Sequence, residues 1–146
     1  MSQYIDFYIK NENDKFDYLT SYGRSSMIYR GLAEQAPYER IKALTPSILK
    51  DAIARFNLLI NNSEKSISYC ETFIDKICTF PNSIEDKIDA ISEQRSYIKD
   101  YEQEIDEMRY AINVYDFLQN IAENNTVNPL YFGIETYEPT MKDVIE

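Results

Sequence analysis

Glu104 and Glu107 stand three residues apart, and Glu102 and Asp106 four apart. On a helix each pair shares one face. Hard cations such as Mg²⁺ want several convergent oxygens, so these carboxylates are the best opening for catalysis. Helical Mg²⁺-dependent nucleotide enzymes need a second carboxylate set on a facing helix. Only Glu71 and Asp75 offer themselves for that, without matching partners. The expected reading is an ordinary solvated acidic face, with no metal and no cofactor.

Other chemistries are closed by composition. The 146 residues contain no histidine, two cysteines and three glycines. Ser-His-Asp and Cys-His systems, His-ligated zinc and ferritin-type di-iron sites all require histidine. Two cysteines cannot complete a four-cysteine zinc site, and no Gly-rich phosphate loop is present. Cys70 and Cys78 lie eight residues apart on one predicted helix, about 12 Å of rise, too far for a disulfide. No catalytic residue is assigned, and the chain is expected not to be an enzyme.

Arg24, Arg30, Arg40 and Lys42 are interleaved with Tyr22, Tyr29 and Tyr38. A helix start near Ser25 could hold an anion, and Arg–aromatic interleaving suits single-strand stacking. A helix cap with surface arginines is the plainer reading. The net charge of −10 argues the same way, because a negative field repels phosphate backbones. Neither nucleic acid nor membrane is an expected direct partner. No run of about 18 apolar residues would cross a bilayer, and no signal peptide opens the chain. A cytoplasmic protein is expected, in a host cytoplasm if phage-encoded. The abundance of Ile, Asn, Lys and Tyr hints at an AT-rich genome, such as that of a bacterium or its phage.

The elements that must carry these residues are legible from periodicity. Residues 4–10 alternate, with Ile5, Phe7 and Ile9 on one side, the period of a half-buried strand. Residues 16–22 read as its hairpin partner. Ser25 or Ser26 caps a short helix to about Gln35, and residues 38–44 are a short strand or a connector. Thr45-Pro46 is a helix start, with Pro at the first helical position. Leu49, Ile53, Phe56, Ile60, Ser63, Ile67, Cys70, Ile74 and Ile77 then recur at steps of four and three. That is a heptad seam, with Leu59 and Phe73 widening it and Cys70 in the core. Asn82 or Ser83 caps a second long helix, whose seam runs Ile84, Ile88, Ile91, Arg95, Ile98, Tyr101, Ile105, Met108, Ile112, Tyr115 and Leu118. Its two successive steps of three at Arg95–Ile98–Tyr101 predict a stammer. A strand follows at residues 130–136.

The expected fold is α+β and predominantly helical, in a single domain spanning residues 1–146. An antiparallel coiled-coil helical hairpin of residues 45–124 projects from an α/β base of residues 1–44 and 127–137. The base holds a three- or four-stranded antiparallel sheet and one short helix, and residues 138–146 form a loose acidic tail. Two surfaces stand out. Residues 84–124 hold eleven acids against four bases, so Glu93, Asp100, Glu104 and Glu107 form an acidic ridge. Tyr4, Tyr8, Tyr131 and Tyr137 fall on the sheet face opposite Ile and Phe, a tyrosine-rich face of the kind protein partners use. A non-enzymatic interaction module is expected, with a basic nucleic-acid-binding enzyme as the partner type. Its sharper form is a phage or mobile-element inhibitor, a DNA mimic of anti-CRISPR or anti-defence type. The alternatives are a Mg²⁺-dependent nucleotide-processing enzyme and a structural protein that homodimerises through the hairpin.

Overall fold

The computed structural model describes residues 3–125 and 127–145. Its elements are β1 (Tyr4–Lys10), β2 (Phe16–Gly23), α1 (Met27–Leu32), β3 (Ile41–Ala43), α2 (Pro46–Ile77), α3 (Ile84–Asn124), β4 (Leu130–Ile134), a 3₁₀ turn (Met141–Asp143) and β5 (Val144–Ile145). The fold is mixed α+β and mostly helical, with two long helices packed against each other and a sheet built from the N- and C-terminal segments.

The helix starts obey their capping chemistry. Ile48 N–H donates to Thr45 Oγ1 at 3.3 Å, Asp86 N–H to Ser83 Oγ at 3.2 Å, and Ile28 N–H to Ser26 Oγ at 3.1 Å. Each bond satisfies an orphan N–H of a first turn. Glu85 and Asp86 add negative charge at the positive end of the α3 dipole. The short helix is briefer than expected, ending at Leu32.

The chain divides into two compact units. The first comprises Met1–Arg55 with Tyr110–Glu146 and contains the whole sheet. Strand order is β2-β1-β4-β3-β5, antiparallel except for the β3–β5 pair. Five strands therefore replace the three or four expected. The fifth comes from the segment expected to be a loose tail: a capping box between Thr140 and Asp143 turns the chain, and Val144 and Ile145 pair with Ile41 and Lys42. Glu146 lies outside the described residues.

The inner strand β1 also departs from simple alternation. Ile5, Asp6, Phe7 and Tyr8 are all buried, so both of its faces are covered. The β1–β2 pairing shifts register once, between Phe7 and Tyr8. Phe7 pairs with Thr20 but Tyr8 with Tyr18, leaving Leu19 as the extra residue of a bulge.

Tyr115 of α3 is fully buried in this unit, and its hydroxyl donates to the Ile28 carbonyl of α1 at 2.5 Å. Burial pushes its phenol above the ordinary value. A phenol with a raised folded pKa gives stability that is complete below pH 10, the unfolded value, and is lost as pH rises through the folded one. Tyr115→Phe is therefore expected to cost about 1 kcal/mol at neutral pH. That difference should shrink by up to ~1.4 kcal/mol per unit above pH 10. Urea melts at pH 7 and pH 11 check it; no gap at pH 7 would count against the bond, and a gap that stays constant would count against the raised phenol.

The second unit, Phe56–Arg109, consists of the adjoining stretches of α2 and α3. Only residues 78–83 connect these packed helices, so they run antiparallel; Glu64, Ile67 and Ser68 line one groove with Glu102, Ile105, Asp106 and Arg109. Every α2 seam residue from Leu49 to Ile77 is buried or half-buried, Cys70 among the buried, whereas Leu59 is exposed.

On α3 the expected seam is corrected. Ile84, Ile88 and Arg95 are exposed, while Lys87, Ile91, Gln94, Ile98 and Tyr101 are half-buried and Ile105 and Met108 buried. Those seven positions step 4,3,4,3,4,3, an unbroken heptad. No stammer exists at Arg95. The polar Gln94 and the aliphatic stem of Lys87 occupy inner positions, and the true register is masked because both are hydrophilic by type.

Candidate functional sites

The acidic ridge lies in the second unit. Glu93, Asp100, Glu104 and Glu107 are all exposed, and at 100° per residue they fall within a narrow stripe of α3. Among the described residues none of the four is in an ion pair. Two have short local partners: the Tyr97 hydroxyl donates to Glu93 at 2.6 Å, and Gln103 to Glu107 at 3.4 Å. The Glu93 bond holds the Tyr97 phenol above its ordinary value.

The facing carboxylate is not Glu71 or Asp75 but Glu64, which shares its groove with Glu102, Asp106 and Arg109. Among the described residues no three Asp, Glu or Cys side chains converge closely enough to hold a metal ion. The arginines that precede α3 all have local surroundings. Arg55 donates to the Gly31 carbonyl at 2.9 Å, Arg40 approaches the Val144 carbonyl at 3.4 Å, and Arg24 and Arg30 flank a shallow recess beside Tyr29.

The four tyrosines do not form one exposed face. Tyr8 is buried, Tyr131 half-buried and Tyr4 about half-exposed, while Tyr137 is 88% exposed but lies beyond the end of β4. The chain leaves the sheet at Glu135, whose φ of 51° breaks the strand and ends the alternation that would place Tyr137 opposite Ile and Phe. Instead the chain folds back, and Thr136 meets the first strand.

That return builds a second candidate site, in the first unit. Asp6 is buried at 8% exposure. Its Oδ1 accepts from Ser21 Oγ at 2.5 Å, and its Oδ2 accepts from Thr136 Oγ1 at 2.6 Å and Thr136 N–H at 3.0 Å. Tyr8 and Thr136 hydroxyls lie 2.6 Å apart. Because the single Thr136 hydroxyl proton is given to Asp6, the Tyr8 hydroxyl is the donor in that bond. A proton-ordered chain results: Tyr8 to Thr136 to Asp6. Burial pushes the Tyr8 phenol above its ordinary value, with the Asp6 charge adding to the effect.

Above this floor opens a cleft of about 310 Å³, lined by Asp6, Tyr8, Phe16, Tyr18, Thr136, Tyr137, Glu138 and Pro139. The bulge at Leu19 places Tyr18 there: it pairs with Tyr8 rather than falling on the opposite face, and the two rings meet edge-on at 6.1 Å. Phe16 packs edge-on against Tyr131 at 5.0 Å.

No family model, curated protein or solved structure matches this chain.

Sequence reasoning reaches Tyr8 and Tyr137 but not Asp6, Phe16, Tyr18 or Glu138. A lone acid between Ile5 and Phe7 in a strand is the available signal for Asp6. In an alternating pattern that position belongs to the solvent side, so the acid looks ordinary there. None of the described helices is long and apolar enough to cross a membrane.

Proposed function

We propose that the protein is a non-enzymatic interaction module whose acidic α3 stripe engages a basic, nucleic-acid-binding protein. The observation that carries this is the exposure of Glu93, Asp100, Glu104 and Glu107 on one side of α3 without ion pairs among the described residues. These carboxylates span about 21 Å of helix, a rigid row of negative charge able to occupy a groove that otherwise holds phosphates. In its sharper form the protein is a phage or mobile-element inhibitor acting as a DNA mimic in the host cytoplasm. The AT-rich residue usage and the acidity support that form.

The test is competition. A basic DNA-binding protein recovered by pull-down should bind this chain or duplex DNA but not both, with affinity falling as salt rises. Reversing Asp100, Glu104 and Glu107 to Lys should weaken binding about tenfold or more, since one close pair in water is worth ~1 kcal/mol and three charges change sign. Binding indifferent to salt and to the reversals would sink the proposal.

Self-association is the second reading, favoured by a different observation. Leu58, Ile84 and Ile88 are large apolar side chains exposed on α2 and α3. A dimer in light scattering, lost on Ile84→Ser with Ile88→Ser, would support it.

A further inference from the structure

We propose that the cleft beside Asp6 receives a positively charged side chain, an arginine guanidinium or a lysine ammonium, supplied by a protein partner. The inference rests on the reading that the partner is basic, but it concerns different residues in the other unit.

Three features of the cleft select a cation. Phe16, Tyr18 and Tyr137 are among its lining residues, and aromatic faces attract cations through their quadrupole. Tyr18 and Tyr137 are exposed, so their ring surfaces are open to an incoming group. Its two acids are Glu138 at the rim and Asp6 at the floor, and the described residues lining it include no Lys or Arg. Of the bases nearby in sequence, Lys15 adjoins Phe16 but is not among the lining residues, and Lys10 pairs with Asp14 at 3.5 Å.

The floor matters most. Asp6 sits below the solvent level, where its charge is screened less than a surface carboxylate would be. Its oxygens already accept three hydrogen bonds from the protein. The incoming cation therefore feels the field of Asp6 without having to break those bonds. An anionic ligand would meet two carboxyl groups and no counter-charge. The volume of about 310 Å³ is at the low end of ligand pockets, and suits one long side chain better than a cofactor.

The experiment is an amide-shift titration of the full chain by NMR. The probes are Nα-acetyl-arginine amide, Nα-acetyl-lysine amide and Nα-acetyl-citrulline amide, the last a neutral isostere of arginine. Saturable shifts at Thr136, Tyr137 and Glu138 are expected with one or both cations and not with citrulline. Comparing the arginine and lysine arms assigns the head group. Tyr137→Ala and Glu138→Gln should each weaken binding by about fivefold. Tyr137 and Glu138 are both exposed, so these variants should fold. Citrulline matching arginine, or no saturable shift at these residues, would overturn the proposal. The α3 charge reversals should leave the titration unchanged. Failure of the ridge and failure of the cleft are thus read from separate measurements.

Discussion

Gly133→Ala is expected to lower stability by about 3 kcal/mol or more, the upper end of what overpacking a well-ordered site costs. A Cβ at this position would lie 2.0 Å from the Arg40 carbonyl oxygen and 2.8 Å from Thr136 Cγ2. The first neighbour is backbone, and it cannot step aside. On one side of Arg40, Glu39 N–H donates to the Ile134 carbonyl at 2.7 Å, and Ile134 N–H donates to the Pro37 carbonyl at 2.8 Å. On the other, Ile41 opens β3 and pairs with β5. Relief would require breaking this web or pushing β4 away from β1. Gly23→Ala is the internal control, because its Cβ would meet only the Tyr4 ring, at an ordinary 3.6 Å. In urea melts Gly133→Ala should show a large fall in midpoint with an unchanged m-value, and Gly23→Ala a change within ~1 kcal/mol. Equal behaviour of the two would show that the close approach is not what excludes a side chain.

Asp6→Ala should cost about 3 kcal/mol by leaving Ser21 Oγ, Thr136 Oγ1 and Thr136 N–H without their acceptor. A buried donor stripped of its partner loses the whole desolvation penalty, roughly 1–3 kcal/mol. The two hydroxyls can rotate toward other acceptors, but the N–H cannot. Asp6→Asn preserves the shape and one oxygen, yet it sets an NH₂ against a donor, so its expected cost is smaller, about 1–2 kcal/mol. The order Ala, then Asn, then wild type in midpoint checks the argument. An alanine variant as stable as wild type would mean that Asp6 does not join the three segments.

Local chemistry makes much of the helical architecture readable. Thr45-Pro46 and Ser83 announce their helices because caps act within four residues, and the α2 seam is written almost wholly in apolar side chains. The α3 seam is misplaced by residue type because Lys87 and Gln94 hold inner positions that type alone assigns to the surface. The fifth strand is two residues long and is fixed by pairing with Ile41 and Lys42, about a hundred residues away. Its one local sign is the spacing of Thr140 and Asp143 that makes a capping box. The cleft is hidden for a related reason. Asp6 and Thr136 are 130 positions apart, and nothing in the neighbourhood of either names the other. The acidic ridge, by contrast, belongs to one helix and is visible as charge.

The bulge at Leu19 also interrupts one edge of the sheet. β2 is one of the two edge strands, and an unpaired edge is a template on which a strand from another molecule can polymerise. With Leu19 inserted between Tyr18 and Thr20, the free N–H and C=O groups lose their even spacing midway along the strand. A straight strand arriving from another molecule could then keep register on one side of the bulge only. The residue that turns Tyr18 over the cleft thereby also makes this edge a poorer template for an added strand.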